Sequence, residues 1–142
     1  MNEENVMRAM LAEAKTIAVV GLSDNPGKAS FGVSRTMQRI GYRIIGVNPA
    51  VTGEVLGSPC YASLAELVAA EGKPDMVNVF RLPKFIPAIV DEMIVLGLDN
   101  LWVQLGIFSE EAAPKAEAAG MHVVMDKCIM IEHGRQGLGV RD

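Results

Sequence analysis

The sequence predicts a doubly wound α/β domain, a parallel five-stranded sheet between two layers of helix. Three observations carry this. Short apolar runs alternate with amphipathic stretches of about ten to fifteen residues, the spacing of repeated βα units. The runs are nearly continuous in Ile and Val rather than alternating with polar residues, as strands covered on both faces require. Half of the 142 residues are apolar and 21% are charged, a composition that packs one core, burying roughly two-thirds of the unfolded chain's surface, and excludes long disorder. Residues 1–142 are therefore read as a single domain.

The elements follow in order. An amphipathic segment from about Glu3 to Ala14 predicts a helix on one edge of the sheet. Thr16–Val20 is the first strand, and Phe31, Val33, Met37 and Ile40 mark the helix after it. Tyr42–Val47 and Met76–Phe80 are the second and third strands, separated by a helix carrying Leu64, Leu67 and Val68. Ile86, Ile89, Val90, Met93 and Ile94 form the next apolar face, before the strand Asn100–Gln104. Ser109, followed by Glu110 and Glu111, supplies an N-cap and dipole-favoured acids for a further helix. The last strand is His122–Met125, and a short helix is expected at Cys128–His133. Gly41, Gly72, Gly97 and Gly120 close successive helices as C′ residues. Right-handed crossovers and one reversal of direction lead us to expect the strand order 3-2-1-4-5, with a ligand crevice beyond the ends of strands 1 and 4.

Charge narrows the function. Seventeen acidic against thirteen basic residues leave a net charge of −4, so no broad cationic surface is available for nucleic acid or an anionic membrane. No apolar stretch approaches the roughly 18 residues of a membrane span, and the N-terminus lacks a signal-peptide core, so a cytoplasmic location is expected. Cys60 and Cys128 are too few and too far apart for a disulfide framework or a zinc site.

The first strand runs into Gly21-Leu22-Ser23-Asp24-Asn25-Pro26-Gly27-Lys28-Ala29-Ser30, a small, polar loop opening a helix. Unpaired N–H groups and the helix dipole favour an anion there, the glycines admit it close to the backbone, and Lys28 adds a full charge. The loop departs from the dinucleotide fingerprint GxGxxG, since Ser23 holds the third position, and from the P-loop, since Ala29 follows Lys28 where a hydroxyl would bind Mg²⁺. Strand 2 ends Gly46-Val47-Asn48-Pro49 with no acid until Glu54, so NAD is disfavoured. Phe80-Arg81-Leu82-Pro83-Lys84 sets two cations beside an aromatic ring, and Gly106 after Gln104 leaves room at the end of strand 4. For catalysis the inventory is thin. His122 and His133 lie in no recognisable nucleophile motif, and Cys128, near the crevice mouth, is the one reactive candidate, with core packing as its ordinary role.

Five segments in order, the GxSxNPxKxS loop within Ile17–Ser30, Val47-Asn48-Pro49, Val79–Pro83, Trp102–Gly106 and Asp126-Lys127-Cys128, resemble the stand-alone CoA-binding proteins of bacteria across nearly the whole chain. That family is similar to the nucleotide-binding domain of the succinyl-CoA synthetase α subunit, a Rossmann-like fold. The resemblance implies coenzyme A, or a short acyl-CoA, as the ligand of a non-catalytic carrier, sensor or regulatory module. It implies a diphosphate against Gly21, Ser23, Asn25, Pro26 and Lys28, with Ser30 opening the helix. Asn48, Pro49, Phe80, Arg81 and Pro83 would surround the adenosine end, and Gln104 and Gly106 the pantetheine arm, whose thiol could reach Cys128. Lys28, Arg81 and Lys84 supply cations for the diphosphate and the ribose 3′-phosphate. Ending at Asp142, before any second domain with a phosphorylated histidine, the chain is not expected to act as a synthetase. Two alternatives stay open: an NAD(P)-binding oxidoreductase on the same scaffold, and a structural partner subunit that has lost its ligand.

Overall fold

A computed structural model describes residues 2–141. In chain order the elements are α1 (Glu3–Glu13), β1 (Thr16–Val20), α2 (Ala29–Ile40), β2 (Arg43–Val47), the short strands β3 (Glu54–Val55) and β4 (Ser58–Pro59), and α3 (Leu64–Glu71). There follow β5 (Met76–Val79), a 3₁₀ turn at Pro83–Phe85, α4 (Ile86–Leu96), β6 (Asn100–Val103), α5 (Ala112–Ala118), β7 (His122–Val124) and α6 (Ile129–Gln136). The five expected strands are present within a residue or so of their expected ends and form one parallel sheet flanked by helices. β3 and β4 form a small antiparallel hairpin absent from the sequence reading, each strand being only two residues long.

The order of strands in the sheet corrects the expectation. It is β2-β1-β5-β6-β7, which in the numbering of five strands is 2-1-3-4-5 and not 3-2-1-4-5. The reason lies in which face receives each helix. One core packs α3, α4 and α5 on the sheet through Leu64, Leu67, Ile86, Val90, Met93, Ala112 and Ala116. The other packs α1, α2 and α6 through Met7, Leu11, Val33, Met37 and Ile129, around Trp102. Because crossovers are right-handed, a helix's face sets the direction of its step across the sheet. α2 steps from β1 outward to β2. α3, on the opposite face, must step back over β1 and deliver β5 to its far side. The expected order would have put α2 and α3 on one face. The switch point, and with it the crevice, therefore lies between β1 and β5 rather than between β1 and β6.

Local chemistry explains the helix ends. Asn2 caps α1 by accepting from the Asn5 N–H at 2.9 Å, and Ser63 caps α3 by accepting from the Glu66 N–H at 3.1 Å. Ser109, expected as the N-cap of the fourth helix, lies three residues before α5, whose cap residue is Glu111; its Oγ accepts from the Ala112 N–H at 3.1 Å and so closes the turn leading into the helix. α1 has no basic residue in its last turn, and its carbonyls are served from the C-terminal segment instead. The Arg141 guanidinium donates to the carbonyls of Leu11 and Ala14 and lies 4.7 Å over the Tyr42 ring, while the Arg141 N–H donates to the Ile40 carbonyl at 2.6 Å. α1, α2 and the end of the chain are thus tied together below the sheet.

Candidate functional site

Gly21 leaves β1 with φ +91° and donates its N–H to the Val47 carbonyl at 2.8 Å. A Cβ there would stand 2.6 Å from the Phe80 carbonyl oxygen, so only glycine lets the ends of β1 and β5 come this close. The loop that follows is held by its own side chains. Ser23 Oγ accepts from the Asn25 N–H at 3.0 Å, Asn25 Oδ1 accepts from the Gly27 N–H at 2.9 Å, and the buried Ser30 Oγ accepts from the Ser23 N–H at 3.0 Å. Asn25 thus sets the turn, and Pro26 is exposed at its tip.

The first hydrogen bond within α2 runs from the Gly32 N–H to the Lys28 carbonyl at 3.1 Å. The N–H groups of Ala29, Ser30 and Phe31 accordingly have no partner inside the helix. Lys28, extended and exposed before them, makes no ion pair among the described residues. Gly21, Ser23, Lys28, Ala29, Ser30 and Phe80 enclose a concavity of about 350 Å³. It has the shape and electrostatics of an anion cradle.

A second concavity, about 360 Å³, opens on the α3/α4 side of the same strand ends and is walled mainly by Val20, Val47, Pro49, Arg81, Phe85 and Ile89. The aromatic ring beside the two cations is Phe85, not Phe80. The Arg81 guanidinium lies 4.1 Å over the Phe85 ring and the Lys84 ammonium 5.2 Å from it. Phe80 turns to the opposite face, where it packs on the α2/α6 core and lines the cradle. Phe85 and the wall residues Ala62 and Ser63 escaped the sequence reading. No periodic signal announces the first, since Arg81 stands in a bend and Phe85 ends the 3₁₀ turn, outside any α-helix that would bring them together.

Asn48 and Pro49 divide in role. The Asn48 amide donates to the Leu22 carbonyl and its Oδ1 accepts from the Ala50 N–H, both at 3.0 Å, tying the end of β2 to the cradle loop. Pro49 is the one that faces the cavity, and Pro83 begins the 3₁₀ turn, exposed. Gln104 is buried on the other face and its Oε1 faces the Ile129 N–H at 3.4 Å. Gly106, at φ +86°, donates to Asp126 Oδ1 at 2.6 Å. Cys128 is the N-cap residue of α6, 7% exposed in the core. Burial pushes the Cys60 thiol above its ordinary range, with the Asn48 carbonyl acting against it. Cys60 is therefore held as the neutral thiol.

A sequence profile described as the CoA binding domain matches residues 15–134. The chain belongs to the CoA-binding domain family. Among similar proteins, the uncharacterized protein YneT of Bacillus subtilis is 40% identical over 127 residues, covering 89% of this chain and 91% of YneT. The solved structure of a Thermus thermophilus protein, cell-free ID.343, is 36% identical with a TM-score of 0.85, over 96% of this chain and 99% of that one. The ADP-forming acetate–CoA ligase I of Archaeoglobus fulgidus is 24% identical over 125 residues, 81% of this chain and 18% of the ligase. The Rossmann-like sheet is thus that of a CoA-binding domain, and the cradle lies at its switch point.

Proposed function

We propose that this CoA-binding domain holds coenzyme A, or a short acyl-CoA, by its ADP and pantetheine moieties and serves as a non-catalytic carrier, sensor or regulatory module. The carrying observation is the cradle at the switch point, where three helix-terminal N–H groups and an unpaired Lys28 converge beside the side-chain-free Gly21. A diphosphate there is neutralised by Lys28 and the α2 dipole. The adenine enters the apolar cleft beside Pro49 and Phe85, and Arg81 and Lys84, held over that ring, take the ribose 3′-phosphate. The pantetheine arm runs past Phe80 toward Gln104 and Gly106, its thiol end directed at Cys128. The net charge of −4 and the absence, among the described residues, of a helix long and apolar enough to cross a membrane fit a cytoplasmic small-molecule binder.

The end of β2 supports CoA over NAD(P), because the residue at its tip is Asn48, committed to the loop, where a dinucleotide fold carries the acid for the ribose hydroxyls. Titration calorimetry tests the reading. CoA is expected to bind at least about tenfold more tightly than NAD or NADP, a gap of roughly 1.4 kcal/mol. Equal or tighter binding of NAD would replace the carrier by the oxidoreductase.

A further inference from the structure

Asn78 is a polar residue in the middle of β5, outside the linings of both concavities. It is 2% exposed, and its Oδ1 is buried without a hydrogen-bond partner among the described residues. Its neighbours in register are Val19 on β1 and Trp102 on β6. Leaving a buried acceptor unpaired costs about 1–3 kcal/mol, whereas an apolar residue of the same shape would carry no such cost. No group among the described residues supplies the donor, so it falls to a bound molecule, and a ligand and an internal water are the two sources that the experiment below separates.

The register says where that donor comes from. Side chains two apart on a strand share a face, so Asn78 lies one layer beneath Phe80, on the side of the sheet that carries α2 and α6. Phe80 lines the cradle, and Gly21, two residues beyond Val19, contributes no side chain above that layer. Gln104, two residues beyond Trp102, sits in the layer of Phe80 with its Oε1 turned to the Ile129 N–H, which leaves its amide nitrogen as the group to offer a ligand. An unpaired acceptor at Asn78 and a donor at Gln104 are the two halves of amide recognition.

We infer that Asn78 is a ligand-binding residue, its Oδ1 accepting a hydrogen bond from an amide N–H of the pantetheine arm where that arm passes Phe80. The inference rests on the CoA reading and adds to it the group that recognises the arm rather than the nucleotide. It also makes Asn78 a residue retained against stability, since the free protein bears an unpaired buried acceptor that the ligand relieves.

The experiment compares wild type with Asn78→Leu, and with Asn78→Val as a smaller variant should leucine overfill the site. Each is measured for thermal stability without ligand and titrated with CoA and with adenosine 3′,5′-bisphosphate, which lacks the arm. At least one apolar variant should melt at or above the wild-type temperature, bind CoA about five- to tenfold more weakly, the worth of one hydrogen bond, and bind the bisphosphate unchanged. Undiminished CoA affinity in a folded variant, or equal losses for both ligands, would overturn the assignment while leaving CoA binding in place. Lower melting temperatures for both variants would also overturn it, because an internal water then satisfies Asn78 as part of the fold. A wild type that binds no CoA would remove the CoA reading and the Asn78 assignment together.

Discussion

Lys28 and His133 put charge to opposite uses. Lys28 stands exposed at the mouth of α2 with no ion-pair partner among the described residues, so its replacement breaks no ion pair there. Lys28→Ala should weaken CoA binding by about 1.5–3 kcal/mol, the scale of a hydrogen bond to a charged group, and leave the unfolding midpoint nearly unchanged. Calorimetry with denaturant unfolding separates the two quantities. His133 is buried on α6, its ring edge-on to Tyr42 at 5.9 Å, with no partner for its Nε2 among the described residues. Burial, and after it the nearby Arg141, holds its pKa below the ordinary histidine value. The folded protein therefore keeps His133 neutral where the unfolded chain takes up a proton. Stability from this group is complete above about pH 6.5 and falls as the pH drops from there through the lowered folded-state pKa. His133→Gln should flatten that limb of the stability profile. The Glu71 carboxylate, held low by the Tyr61 hydroxyl and Arg43, belongs to a separate and more acidic limb.

The passage from β1 into α2 shows how one element end serves packing and binding together. Gly21 allows the close approach to Phe80, and Ser23, Asn25 and Ser30 close the loop on itself, so that the free N–H groups of α2 point at a preformed hollow. Two glycine substitutions eleven residues apart should then act in opposite directions. Gly21→Ala places a Cβ 2.6 Å from a backbone carbonyl at φ +91° and should cost at least about 2 kcal/mol, with loss of CoA binding. Gly32→Ala, inside α2 with nothing within 4 Å of the new Cβ, should gain about 0.5–1 kcal/mol. Urea midpoints decide both. A shared sign would show that the two positions do not differ as their surroundings require.

For the molecule as a whole, the two concavities flank the line where the strand order reverses, and a ligand reaching both would touch the ends of β1 and β2, Phe80 and Arg81 just after β5, and the start of α2 and α4. Binding there stabilises the folded chain alone. CoA at a hundred times its Kd should therefore add about 2.7 kcal/mol to the unfolding free energy, read as a rise in Tm that grows with ligand concentration. NAD at the same concentration should give a smaller rise. A Tm indifferent to CoA would count against a site built from both sides of the switch point.

The sequence by itself determined the five strands, their burial on both faces, the helices between them and the loop suited to an anion. Each of these rests on neighbours a few residues apart: apolar periodicity, caps, and the small residues of Gly21–Ser30. It also displayed Asn78 as the polar residue inside Met76-Val77-Asn78-Val79, though nothing local told what stood above it. The tertiary structure alone decided the strand order, the commitment of Asn48 to Leu22 and Ala50, and the pairing of Arg81 and Lys84 with Phe85 rather than Phe80. The periodic pattern of a helix shows that it has an apolar side but not which face of the sheet receives it. That choice, made by packing between segments distant in the chain, sets the direction of each crossover and so brings Gly21 beside Phe80 at the site.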